Sequence, residues 1–140
     1  MGLFEDFKRM FGAKAAGEQH RGVRMKAWFV PLHAFKNRDE KVSLIISVNN
    51  KTPTEKLISL EASIDPKAFL GFNTTCTHKR VEKKLGILKP GETRQEHFTI
   101  YSTSQTKEGE YNVHVNATIH YLDYDKIEDQ IKKSLRFKVV

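Results

Sequence analysis

The strictest pattern in the chain lies between Glu110 and Tyr121, read as EYNVHVNATIHY. Tyr111, Val113, Val115, Ala117, Ile119 and Tyr121 form one apolar row. Asn112, His114, Asn116, Thr118 and His120 form the alternate polar row. A period of two held this long specifies a β-strand with one buried face, because a helix would bring its apolar residues back at three and four. Gly109 stands two residues ahead of Tyr111. That spacing predicts a tyrosine corner, in which the Tyr opening a central sandwich strand hydrogen-bonds back to the incoming loop.

Other stretches repeat the alternation. Met25–Val30 (MKAWFV) reads as a first strand, stopped by Pro31, which lacks an amide donor. Val42, Leu44, Ile46 and Val48 make a second strand, and Ile58, Leu60, Ala62 and Ile64 a third within 57–64. Residues 76–84 form a polar strand, expected at an edge, where lysines discourage stray pairing. Residues 94–101 place Phe98 and Ile100 inward, and Leu135, Phe137 and Val139 close the chain. Turn signals separate them: Asn49-Asn50-Lys51-Thr52-Pro53, Asp65-Pro66, and Lys89-Pro90-Gly91-Glu92, which fits a type II turn. Phe69, Leu70 and Phe72 are expected on an exposed loop, and residues 123–133 read either as a helical turn or as a long hairpin. About seven strands with a turn every ten or so residues predict an all-β chain, an Ig-like antiparallel β-sandwich over residues 25–140.

Within Lys41–Tyr121 the order is a strand ending Val48-Asn49-Asn50, an Ile/Leu strand, Leu88-Lys89-Pro90-Gly91-Glu92, the Phe98-Thr99-Ile100 strand, then Gly109-Glu110-Tyr111-Asn112-Val113. This order resembles the bacterial and archaeal Ig-like modules of the CARDB-related type. The chain departs from true immunoglobulin domains, since it has one cysteine and its only tryptophan, Trp28, lies in the first strand. The resemblance implies a non-enzymatic binding or spacer module and carries over no site residues.

Residues 1–16 have a different period. Leu3, Phe4, Phe7, Met10 and Phe11 fall on one stripe of a 3.6-residue helix, with Lys8 and Arg9 among the polar residues opposite. The acids Glu5 and Asp6 precede the bases, as a helix dipole favours. Residues 17–24 read as a linker. Three occupants of the stripe remain open: the chain's own sandwich, a membrane interface with bases on the polar side, or a partner's groove. Gly2 is not a myristoylation signal, because Asp6 stands where Ser or Thr is needed.

The balance of 24 basic and 17 acidic residues gives a net charge of +7, which favours anionic partners. The richest basic run, His78 to Lys84, lacks interleaved aromatics for base stacking, so nucleic acid is not the expected partner. No apolar run approaches the roughly 18 residues of a membrane span, nor does a signal-peptide core appear. A cytoplasmic place, with membrane association through residues 1–16, is therefore expected. The lone Cys76 allows no internal disulfide.

Candidate chemistry is sparse. Cys76 and His78 share a strand face but have no orienting third residue. His114 and His120 are six residues apart, about 20 Å along a strand, too far to share an ion. His97 is the histidine that a neighbouring strand could bring to either, but a zinc site would still need further ligands. Asp123, Asp125, Glu128 and Asp129 form an oxygen cluster without the EF-hand pattern, which leaves calcium open. The sequons at Asn50, Asn73 and Asn116 matter only for an exported adhesion module. The expectation is a chain that is not an enzyme, needs no metal or cofactor, and binds a protein partner or a membrane surface. Its expected contact residues are Leu3, Phe4, Phe7, Lys8, Arg9, Met10 and Phe11, with a second face at His97, Asn112, His114, Asn116 and His120.

Overall fold

The computed structural model describes residues 19, 20 and 22–140, with side chains from Gly22 onward. The expected N-terminal helix and its seven contact residues lie outside the described residues. Ten strands run in chain order: β1 Gln19–His20, β2 Val23–Val30, β3 His33–Ala34, β4 Lys41–Asn50, β5 Lys56–Ile64, β6 Leu70–Gly71, β7 Arg80–Leu88, β8 Thr93–Ser102, β9 Gly109–His120 and β10 Ile127–Val139. They form two five-stranded sheets, ordered β1-β2-β4-β8-β6 and β3-β10-β9-β5-β7. Pairing is antiparallel except between β3 and β10. Seven of the strands are long; of the three two-residue strands, β1 covers only the start of β2, and β7 stands as a full-length edge whose lysines discourage stray pairing.

The alternation read in β9 is what closes the sandwich. Val113, Val115, Ala117 and Ile119 are buried, as are Leu44, Ile46 and Val48 of β4 and Ile58, Leu60 and Ala62 of β5. Phe29 of β2 meets Phe137 of β10 across the layers, with ring centroids 5.1 Å apart. Each fully buried Ile or Leu contributes about 2 kcal/mol through the apolar surface it removes from water. At the open flank, Arg94 of β8 donates from Nη1 to the Leu85 carbonyl at 2.6 Å, and Lys83 pairs with Glu96 at 2.7 Å. Both contacts tie β8 to β7.

The tyrosine corner is present: the Tyr111 hydroxyl donates to the Lys107 carbonyl at 2.7 Å. The Lys89–Glu92 turn is type II, with Gly91 at φ +84 and the Glu92 amide donating to the Lys89 carbonyl at 2.9 Å. Asn50 binds this turn to the preceding one. It is fully buried, and its Nδ2 donates to the carbonyls of Thr54 and Leu88, both at 2.9 Å. Its Oδ1 accepts from the Thr52 amide at 2.9 Å and the Thr52 hydroxyl at 2.6 Å. An amide held this way has no nitrogen to offer a glycan in the folded chain.

Several boundaries differ from the sequence reading. Within residues 17–24, read as a linker, Gln19–His20 pairs with Val23–Arg24, so β2 starts two residues before Met25. β7 starts at Arg80 rather than Cys76, because Asn73 gathers the amides of Thr77 and His78 into a loop, each at 2.9 Å. β7 is an edge strand, as its lysines suggested. Leu70 is buried, not exposed, since β6 pairs with β8; Phe69 remains exposed. Residues 123–133 take the second of their two readings, a long hairpin, not a helical turn. Most of them belong to β10, which pairs along the whole of β9 with a bulge between Ile127 and Asp129.

Candidate interaction faces

Asn112, His114 and Asn116 lie together on the outward face of the second sheet, as their row requires. His114 pairs across β9 with Ser63 on one side and Ser134 on the other, and its Nδ1 lies 2.9 Å from the Ser134 hydroxyl. Asn116 stands between Glu61 and Lys132. Charges of both signs alternate around them. Arg136 meets Glu110 at 3.2 Å, Arg80 meets Glu61, and Lys56 meets Glu128 at 3.1 Å.

His120 belongs to the same row but is buried. Residues 121–126 fold back over the sheet and set Tyr124 on its ring, centroids 5.1 Å apart. The Tyr124 hydroxyl accepts from the Gly86 amide at 3.0 Å, and Lys84 Nζ lies 4.9 Å from the Tyr124 ring centre. His120 Nδ1 faces the Lys126 carbonyl at 3.2 Å, and Nε2 faces the Ser59 hydroxyl at 2.8 Å. A carbonyl can only accept, so Nδ1 carries a proton, while Nε2 shares a hydrogen bond with the Ser59 hydroxyl. This is a serine–histidine pair oriented by a backbone carbonyl, lying beneath the hairpin it fastens. Tyr121, expected on the apolar row, is exposed because the strand ends at His120.

His97 does not join these residues. It lies on β8, in the first sheet, whereas the other four lie on β9 in the second. Its register partner is Ile45 of β4, which in turn faces Trp28 of β2. This row crosses the outward face of the first sheet. Ile45 is buried although it points outward, enclosed between Trp28 and His97. The remaining outward positions are Arg24, Lys26 and Val30 on β2, Lys41, Ser43, Ser47 and Asn49 on β4, and Thr93, Gln95, Thr99 and Tyr101 on β8. None is a carboxylate. Nothing in local sequence signals this set, because its three strands are brought side by side only by the sheet order.

The other candidates resolve simply. Cys76 donates from Sγ to the Tyr101 carbonyl at 3.3 Å. Burial pushes its thiol up, against the lowering effect of Lys79, so it is held in the protonated form, the reverse of thiolate activation. Asp123 accepts from the Asp125 amide at 3.0 Å and from Lys126 Nζ at 3.3 Å, which closes the turn. Among the described residues no three His, Cys, Asp or Glu side chains gather as a metal-binding group. No described helix is long and apolar enough to cross a membrane.

No family model matches the chain, and no curated protein matches it. Solved structures do. Over 84% of its length the chain is similar to 30% of the Pseudomonas fluorescens alkylpurine DNA glycosylase AlkC bound to DNA containing an abasic site analog, at 15% identity and a TM-score of 0.46. Over 86% it is similar to 98% of a FixG-related protein from Vibrio parahaemolyticus, at 11% identity and a TM-score of 0.49. Over 82% it is similar to a portion, 7%, of trypsin-activated alpha-2-macroglobulin from Escherichia coli, at 13% identity and a TM-score of 0.53. At such identities the likeness to the macroglobulin segment is one of fold alone.

Proposed function

We propose that the chain is a non-catalytic interaction module, an Ig-like sandwich of the CARDB-related type, brought to a membrane surface or a protein partner by residues 1–16. One observation carries this reading. In the sequence, an apolar stripe of Leu3, Phe4, Phe7, Met10 and Phe11 with Lys8 and Arg9 opposite precedes the strands, more apolar surface than a solvated tail needs. Such a stripe suits a surface outside the sandwich. The serine–histidine pair, the closest approach to catalytic geometry, is used to fasten a hairpin. The test is co-sedimentation with liposomes of the full chain and of a chain starting at Val23. Pelleting of the full chain alone is expected; equal pelleting of both would remove the membrane role of residues 1–16.

A second reading has residues 1–16 packed on the sandwich itself. It is favoured by the exposed Ile87, Tyr121, Leu122 and Ile127, which lie at one end of the second sheet. Removing residues 1–16 would then lower the melting temperature by several degrees, as loss of a few buried apolar groups does in a domain this size.

A further inference from the structure

We infer that the outward face of the first sheet is the surface that lies against an anionic lipid headgroup layer, with Trp28 at its apolar margin. The inference rests on the proposed membrane reading and adds to it the face and the lipid chemistry. Three observations converge on it. The first is charge: Arg24, Lys26 and Lys41 occupy outward positions of β2 and β4, and no outward position of β2, β4 or β8 is acidic. Lys51 extends the set. It lines one shallow cleft with Arg24, Lys26, Ser47, Asn49 and Thr93, three cations among hydroxyl and amide groups that suit phosphate or carboxylate oxygens. The carboxylates at the ends of the face are mostly engaged. Glu92 holds Arg94 at 2.9 Å and Glu40 accepts from the Phe35 amide at 2.7 Å, which leaves Asp39 in the far turn.

The second observation is apolar exposure along one margin. Trp28 is 37% exposed, Val30 50% and Leu32, just beyond the strand, 76%. A tryptophan between Lys26 and the aliphatic Val30 matches the headgroup boundary, where an amphipathic ring sits at the level of the headgroups. Nucleic acid would make poor use of the same surface. Val30 and Leu32 offer no stacking plane, and Ile45 interrupts the row between Trp28 and His97. The third observation is continuity, since β1, the first described strand, lies at the edge of this same sheet.

Trp28 is the only tryptophan, so its fluorescence reports on this face alone. The experiment uses the full chain with phosphatidylcholine vesicles, with and without phosphatidylserine, at low and raised salt. On phosphatidylserine vesicles the chain is expected to pellet and the Trp28 emission to move to shorter wavelength. Salt and omission of phosphatidylserine should both weaken these effects. Each cation near an anionic surface is worth about a fivefold change in partition, so Lys26→Gln with Lys41→Gln should lower it about 25-fold. The melting temperature should not change. Pelleting without any change at Trp28 would overturn the inference and leave the proposed membrane role standing. Absence of pelleting on every vesicle would overturn both. Quenching of Trp28 by a single-stranded oligonucleotide, with vesicles leaving it unaltered, would assign the face to nucleic acid instead.

Discussion

On the second sheet Glu110 answers Arg136 and Glu61 answers Arg80, whereas on the first sheet Arg24, Lys26 and Lys41 stand among Ser43, Ser47, Asn49 and Thr99. The two faces handle their largest side chains differently as well. The second sheet covers His120 with its own hairpin, through Tyr124, and satisfies both ring nitrogens. The first sheet leaves Trp28 and Val30 open. A face where acids meet many of the bases and whose ring is covered is largely completed by its own chain. A face with cations and an open indole gains more from an outside surface, because exposed charges of one sign repel one another until a counter-charge arrives.

The largest expected effect concerns the frame that both faces share. Asn50→Ala strips partners from the Thr54 and Leu88 carbonyls and from Thr52, and should cost about 2–4 kcal/mol in urea denaturation. A loss below about 1 kcal/mol would mean that the two turns hold without it. The next effect sets one face against the other. His120→Ala leaves the Ser59 hydroxyl and the Lys126 carbonyl without the ring and should cost about 1–3 kcal/mol. Gln95→Ala, an exposed position on the first face, should stay within about 0.5 kcal/mol. Equal losses would erase the distinction between a self-completed and an open face.

A smaller gain is expected at the hairpin tip. Leu122 adopts a left-handed backbone at φ +71 while 84% exposed, a conformation that costs a branched residue about 1 kcal/mol. Leu122→Asn should therefore stabilise the chain by about 0.5–1 kcal/mol, read from the urea midpoint. Unchanged or lowered stability would show that Leu122 packs on something that matters to the fold.

The smallest effect is the acid limb at the rim of the first face. The Lys89 amide and then the Arg94 guanidinium hold the Glu92 carboxyl below its usual value of 4.5. A carboxyl depressed in the folded state contributes stability that is fully present above the ordinary value and lost as pH falls through the folded one. Glu92→Gln should therefore be slightly less stable than the parent at neutral pH, with the gap closing as pH drops below 4.5. A gap that stays constant with pH would place the effect in packing rather than charge.

What could be read from sequence was local in origin. The tyrosine corner needs only Tyr111 and the loop just ahead of it, and the type II turn needs only Pro90 and Gly91, so both were visible as spacing. The burial of His120 was not, because it depends on Tyr124 folding back over a polar row. The extent of β10 was hidden by a run of mixed charge whose partner, β9, supplies the order. The grouping of Trp28, Ile45 and His97 was hidden most deeply. Each sits in an unremarkable alternation, and only the β2-β4-β8 order makes them neighbours. His97 was read as a companion of His114 for the same reason: sequence separates strands but does not assign them to sheets.

The most direct test moves the fluorescent reporter from one face to the other. The parent chain carries Trp28 on the first face, and His114→Trp in a Trp28→Phe background carries the indole on the second. Both are mixed with phosphatidylserine vesicles containing brominated acyl chains. Quenching of Trp28 with an unquenched reporter at position 114 is the predicted result. Equal quenching of both, or stronger quenching at position 114, would contradict the assignment of the first sheet as the contact face.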